Sequence, residues 1–493
     1  MAHAGEWAGR QLETDANTAN TADARPPSAP GVARTPPDAE QPPPPPGDQA
    51  RIESADLAKL IVRGGAWSLA ISATGAALSL GVHLVLARTL GAEEYGRYVF
   101  ALAWMNVLML VGKFELDTAS VRFVGAYSGT EQWSFLRGFL RRSAQIVGGV
   151  SLAIALVGGV IVFALMDRLA RNTALSFLAA SLLLPVTAMG QLKASVIQGF
   201  KHVVRAQVPT LLIRPIVFVA SVLLLRFALD GAVTAPVAVL LQLGATTVAL
   251  LLTVWFLREV LPQRAREASE AFDTRYWIRT AAGLLVISGG QVIVSTNSDV
   301  LVVGSLLGTQ PAGQYGAASQ LASAVSFGVS AISFIALPMI ADMHARGALR
   351  QLQELISYVA RLGLLLSVPV LIALVIAARP LLSAFGPSFA DVSWLLILLG
   401  FDQLVGAIFG IAGYLLVMTG HQVTAARVII GSAVLNLVLT FALTPLFGLM
   451  GAGVATTITT IVRCYLLTTS MRGALRLSLA PWAPRRTATP PTE

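Results

Sequence analysis

The chain has 493 residues, of which 55% are hydrophobic and only 12% charged, and its mean hydropathy is +0.70. So little polar surface cannot cover a soluble globule of this length, so the chain belongs in a bilayer. Its one cysteine, Cys464, and its five scattered histidines exclude a disulfide framework and a cysteine or histidine metal cluster, so no metal and no cofactor are expected. The net charge of +9 is not gathered into an interleaved basic and aromatic surface, which excludes a nucleic-acid partner.

Residues 1–55 are a proline-rich tail. Pro26, Pro27, Pro30, Pro36, Pro37 and the run Pro42 to Pro46 sit among Ala, Thr, Asp and Gln, which have nothing to bury. The tail lacks the short apolar core of a signal peptide, so targeting falls to the first membrane helix. Beyond it, a ruler of about 20 apolar residues per crossing places spans near 64–86, 99–125, 143–165, 173–198, 206–228 and 236–257, and again near 279–303, 316–340, 357–377, 392–418, 424–444 and 450–471. The expected architecture is all-α, with about 12 transmembrane helices in two six-helix bundles, 56–258 and 279–471. A charged linker at 259–278 joins them, and a second tail at 472–493 follows.

A motif repeats at the start of each half. Leu90-Gly91-Ala92-Glu93-Glu94-Tyr95-Gly96-Arg97-Tyr98 matches Leu307-Gly308-Thr309-Gln310-Pro311-Ala312-Gly313-Gln314-Tyr315, with Leu, Gly, Gly and Tyr at one constant offset of 217 residues. Near the other end of each half, Gln198-Gly199 and Thr419-Gly420 each precede a short basic turn. A loop motif shared at so long an offset marks a duplicated membrane bundle, and a transporter is the first hypothesis. Glu93 and Glu94 read as a solvated pair in a turn.

Loops after even-numbered spans and the membrane-proximal termini carry most of the arginine and lysine, including Lys59, Arg137, Arg141, Arg142, Lys201, Arg264, Arg266, Arg346, Arg350 and Arg472. Loops after odd-numbered spans hold few, such as Arg88, Arg97 and Arg168. This bias puts both termini in the cytoplasm, with the basic residues serving as topology signals and contacts for anionic lipids. The other loops are too short for the external catalytic domain of a polyprenyl-linked glycosyltransferase, polymerase or ligase. No Gly-x-x-x-x-Gly-Lys-Ser/Thr loop occurs, so the chain is read as no enzyme and no nucleotide hydrolase.

The stretch from Leu86 to Tyr98, followed by Leu116-Asp117-Thr118-Ala119-Ser120-Val121-Arg122-Phe123-Val124, resembles the start of bacterial polysaccharide and oligosaccharide-lipid flippases. These belong to the multidrug/oligosaccharidyl-lipid/polysaccharide exporter superfamily. Asp299 through Tyr315, the Leu337-Pro338 end of the eighth span, and Asn436 through Pro445 with Gly448 and Gly451 to Thr456 are similar to it as well. The resemblance covers roughly residues 60 to 470. It implies two six-helix bundles that open alternately to either side of a bacterial inner membrane. It also implies a polyprenyl-diphosphate-linked glycan as the partner, beside membrane lipids and polysaccharide polymerase or assembly proteins.

A diphosphate with attached sugars cannot cross hydrocarbon unaided, so its path must offer cations and hydrogen-bonding groups. Polar residues inside the spans are therefore the candidates. In the first half these are Lys113, Asp117 and Arg122 of the second span and Arg214 of the fifth. Lys113 and Asp117 are four residues apart and can pair on one helix face, beside Glu115. Arg214 lies between Pro209 and Pro215, where a broken helix would bend toward a cavity. Lys193 and Gln198 sit near the inner end of the fourth span, where snorkelling competes, and Gln191 and Arg463 are further intramembrane polar residues. In the second half, Gln291, Asn297 and Asn436 are candidates for sugar hydroxyls, with helix-to-helix hydrogen bonding as the alternative use. Asp299 and Asp402 are candidates for coupling to a proton or sodium ion, although Asp299 can also simply cap its span. Two rivals remain: an ion-coupled multidrug exporter on the same fold, which calls for an acidic cavity, and a non-transporting scaffold in cell-envelope assembly.

Overall fold

A computed structural model describes residues 48–475 apart from 229–230, 294–295 and 347, with side-chain surroundings from Trp67 onward. The proline-rich run and the last tail lie outside the described residues, as does the side chain of Gln291. Residues 1–58 form one unit and 59–493 a second, which holds all the apolar helices.

The first half runs through α1 (Asp48–Lys113), α2 (Leu116–Gly129), α3 (Trp133–Ala164), α4 (Arg171–Gly199), α5 (Val203–Phe227) and α6 (Ala235–Val260). The second runs through α7 (Thr274–Ile293), α8 (Thr296–Leu306), α9 (Thr309–Ala322), α10 (Ala324–Ala345), α11 (Leu349–Ile376), α12 (Ser393–Phe409), α13 (Ile411–Met418), α14 (Gln422–Phe447) and α15 (Leu449–Leu475). Among the described residues, nine helical segments are long and apolar enough to cross a membrane. The difference from twelve has a local cause. The first span and most of the second form one helical run, Ala70–Lys113, turned at Gly91 where φ is 75° and ψ 172°. The regions of the seventh and eighth spans hold α7 with α8 and α9 with α10.

The second span is not the single helix that its hydropathy suggests. It breaks between Lys113 and Leu116, where Phe114 (φ 51°) and Glu115 (φ 54°) both take the left-handed conformation. For non-glycine residues this costs on the order of 1 kcal/mol or more each, and such strain is found where surrounding structure imposes it. The fifth span departs from expectation in the opposite sense. Pro209 and Pro215 do not break it; a π-helical turn at Pro209–Ile213 absorbs them, and the Arg214 amide donates to the Pro209 carbonyl.

Small residues let the helices approach where hydrocarbon supplies no hydrophobic drive. α4 packs against α6 through faces that include buried Ala179, Ala180, Ala188, Ala238, Ala245 and Ala249. In the second half α15 packs on α12 and α14, and α10 packs on α11. α7 touches both halves, α2 on one side and α14 on the other.

The buried core has an uneven distribution that positions everything else. At the end carrying the repeat motifs, one continuous cluster joins the halves, with Tyr95, Tyr98 and Phe218 alongside Val303, Tyr315 and Phe389. At the end carrying the basic loops the core divides. Leu116, Phe123, Phe139, Leu192 and Trp277 form one cluster, and Ile340, Leu352, Ile356, Leu415 and Met471 form another. One cluster thus spans both halves at the motif end, whereas at the basic end the core is divided in two, the first part taking in Trp277 and Ala281 of α7.

Candidate functional site

The repeat motifs meet each other. Gly91 and Gly308 hold the same backbone conformation, with φ of 75° and 100°, which a side chain resists. The second glycines are in contact across the two halves. A Cβ on Gly96 would fall 1.9 Å from the Thr309 carbonyl oxygen, and one on Gly313 would fall 2.7 Å from the Gly96 Cα. Around this seam Arg88 donates to the Ala384 carbonyl at 2.5 Å, and the Tyr95 and Phe389 rings meet edge to face at 5.8 Å. The fourth repeated position locks each half internally. Tyr98 donates to Gln242 on α6, and Tyr315 donates to Asp299 on α8 at 3.0 Å.

Glu94 is not a solvated turn residue. One carboxylate oxygen accepts from Asn172 at 2.8 Å and from Arg97, and the other accepts from the Ala235 amide at 2.7 Å. It fastens the starts of α4 and α6 to the motif, meeting the free amide of a helix N-terminus. Glu93 remains exposed and pairs with Arg97 at 2.5 Å.

In the first half, Lys113 and Asp117 form the ion pair that their spacing allows, at 2.7 Å. They bridge the break in the second span, the cation at the C-terminus of α1 and the anion in the first turn of α2, where each meets the favourable end of a helix dipole. Glu115, buried at the break, accepts from Thr118 at 2.7 Å. Arg122 lies exposed on α2 and forms no ion pair among the described residues. Arg214 is half-buried on α5 and lines a small cavity with Thr187, Gln191, Thr210, Thr246 and Thr253, near the Tyr98 hydroxyl. The cavity lies between α4, α5 and α6, within the first bundle. The structure does not bring Arg122 and Arg214 together with Lys113 and Asp117 as one cluster of side-chain contacts.

The second half holds a buried polar seam. Asp299, 1% exposed, accepts from Tyr315 and from Thr456, each at 3.0 Å, and Asn436 stands beside it. Asp299 therefore lies inside the bundle and does not cap the outer end of its span. Asp402 is buried next to Thr460 and Arg463. Along α14, Ser432, Asn436, Thr440 and Thr444 recur every four residues and are all buried. One polar atom of each, with Asp299 Oδ1 and Asp402 Oδ1, has no hydrogen-bond partner from the chain. A stripe at this spacing occupies one helix face, and so many unmatched polar atoms inside a hydrocarbon-embedded bundle are costly unless they have a use. Asn297 accepts from Asn106 at 3.2 Å and so links the halves. Sequence reasoning singled out Asp299, Asp402 and Asn436 but missed the hydroxyl stripe, whose period was visible among the apolar residues of α14. Among the described residues there is no cluster of His, Cys, Asp or Glu that would hold a metal ion.

A bundle of apolar helices, with several charged side chains inside the spans among the described residues, defines a multi-pass membrane protein. Its fold is that of the multidrug/oligosaccharidyl-lipid/polysaccharide exporter superfamily. An inward-facing multidrug-resistance MATE family transporter of that superfamily superposes with a TM-score of 0.66, at 12% identity, over 84% of this chain and 98% of the other. The lipid II flippase MurJ, in an inward closed conformation, gives 0.57 at 12% identity, over 82% and 86%. The model of the polysaccharide biosynthesis protein family matches residues 61–344, more than half of the chain, and the protein belongs to that family. In sequence, it is 26% identical over 169 residues to the probable low-salt glycan biosynthesis flippase Agl15 of Haloferax volcanii. That match spans 34% of this chain and 36% of the relative, so the chain covers about a third of the length of the curated relative it matches.

Proposed function

We propose that the protein is a flippase that moves a polyprenyl-diphosphate-linked oligosaccharide, the repeat unit of a polysaccharide, across the cytoplasmic membrane by alternating access. It is a carrier and not an enzyme. The observation that carries the reading is the uneven core: the halves meet through Gly96 and Gly313 inside one continuous cluster at one end, and the core is divided into two clusters at the other, with α7 packed into the first, which suits two bundles rocking about a seam. Membership of the polysaccharide biosynthesis family and the partial match to a protein named as a glycan biosynthesis flippase support the substrate class.

Lys113 is already paired with Asp117, so Arg122 and Arg214 are the arginines that the second and fifth spans offer to a diphosphate. Asn297 offers hydrogen bonds to sugar hydroxyls at the meeting of the halves, and Gln291 lies six residues before it. Asp299 with Asn436, and Asp402 with Arg463, form the coupling side. Asp299 has hydroxyl and amide neighbours, so a proton or a small cation would balance its charge and tie its occupancy to an ion gradient, whereas Asp402 has Arg463 beside it. The positive bias of the loops places both termini in the cytoplasm.

The test is reconstitution into liposomes with a fluorescent polyprenyl-diphosphate oligosaccharide, scoring label exposed in each leaflet. Translocation that falls at least tenfold in Arg122→Ala and in Arg214→Ala supports the proposal. Export of an organic cation under an ion gradient with no glycan-lipid movement would replace it with a drug exporter. Full envelope function in cells carrying both variants, without any transport in liposomes, would replace it with a scaffold.

A further inference from the structure

The segment between the halves is not a free linker. Its Ala271 amide donates to the Ser134 carbonyl at 3.1 Å, and Gly138 on α3 lies so close that a Cβ there would come 1.8 Å from the Ala271 carbonyl oxygen. Arg137 donates to the carbonyls of Arg266 and of Ala268, the latter at 2.8 Å, and Arg141 pairs with Glu270 at 2.6 Å. The segment is thus a strap laid over the basic end of α3.

Between the strap, α3, α4 and α6 lies an open pocket of about 570 Å³. Arg137, Arg141, Lys193 and Arg266 face it with a single carboxylate, Glu270, so the lining carries an excess of three positive charges. Three of the cations have partners, Arg266 donating to the Arg258 carbonyl. Lys193, half-buried on α4, has neither an ion pair nor a hydrogen bond among the described residues. The charge of Lys193 therefore contributes nothing to the internal pairing of the bundle. Leu140 and Leu257 supply apolar wall beside the cations. Farther along α3, Leu152, Leu156 and Val160 are exposed on an apolar face of the kind that lies in lipid. The pocket therefore sits at the end of a lipid-facing helix, at headgroup depth, with both cationic and apolar lining.

We propose that this pocket binds the phosphate of an anionic phospholipid, with Lys193 as its principal charge partner and the strap as its lid. Basic pockets between transmembrane helices on the cytoplasmic side suit anionic lipid headgroups, and the apolar wall suits the glycerol and first methylenes better than a fully hydrated anion. The site lies inside the first half, apart from the contact between the halves, and does not depend on the transport reading.

Native mass spectrometry of the full chain in detergent tests it, with phosphatidylglycerol and phosphatidylcholine of identical acyl chains as probes and glycerol phosphate as a soluble competitor. Phosphatidylglycerol should be retained in preference to phosphatidylcholine. Lys193→Gln should lower that retention about fivefold, from a contribution of about 1 kcal/mol per cation near a lipid headgroup. Because Lys193 has no ion pair or hydrogen bond among the described residues, its replacement by Gln removes none. Arg205→Gln, at the same end but outside the pocket, should leave retention near wild type. Equal retention of the two lipids, an unchanged Lys193→Gln, or an equal loss in Arg205→Gln would each overturn the proposal. Glycerol phosphate binding as tightly as the lipid would overturn the lipid assignment in favour of a soluble phosphate.

Discussion

The two halves use one frame with different chemistry. At the constant offset, Gly91 and Gly308 share a positive φ, and Gly96 and Gly313 share a contact. Tyr98 and Tyr315 share the task of tying the start of a helix to its own half. Their acceptors differ. Tyr98 donates to the neutral amide of Gln242, with His83 and Tyr95 hydrogen-bonded nearby at 2.9 Å, whereas Tyr315 donates to the carboxylate of Asp299. Backbone geometry is held by steric rules that tolerate no change, while polar partners can be exchanged as long as each buried donor finds an acceptor. The first half accordingly pairs its buried Asp117 with Lys113, whereas the second sets Asp299 among the hydroxyls of Tyr315 and Thr456.

The strongest way to break this comparison is at the seam, where the halves are most alike. Gly96→Val forces a side chain into the Thr309 carbonyl, and transport in liposomes should fall to background while the protein still inserts. Gly313→Ala should lose at least tenfold, since its clash is with the Gly96 backbone, which cannot yield. Next comes the carboxylate: Asp299→Asn keeps the shape but removes the charge, and should reduce transport about tenfold and abolish its response to an imposed ion gradient. The pair of tyrosines then sharpens the contrast. Tyr315→Phe should cost severalfold in gradient-driven transport and Tyr98→Phe should lower only thermal stability, by about 1 kcal/mol for a lost neutral hydrogen bond. An equal effect of the two would mean that the halves are functionally equivalent. Glu94→Gln should likewise act on stability and not on transport, by about 1 to 2 kcal/mol read by thermal melting in detergent, as charge-assisted bonds to Asn172, Arg97 and the Ala235 amide weaken.

Much of this was legible before folding. Apolar runs of about 20 residues mark membrane helices because hydrocarbon admits a backbone only when its hydrogen bonds are internal. The Lys113 and Asp117 spacing correctly indicated a pair, since residues four apart share a helix face. The break at Phe114 and Glu115 was not legible, because neither residue type favours a left-handed backbone and the surrounding packing imposes it. Nor was the role of Glu94, whose partners Asn172 and Ala235 lie 78 and 141 residues away.

The repeat itself shows the same division. By itself the sequence determined that the chain is a duplicated membrane bundle with glycine and tyrosine at matched positions, because helix length, hydropathy and the special freedom of glycine are local properties. Only the tertiary structure decided that Gly96 and Gly313 touch, that Asp299 meets Tyr315 and Thr456, and that the two cores merge at one end and part at the other. Those are relations between distant segments, set by which helices can approach closely enough to exclude lipid, and no local pattern encodes that distance.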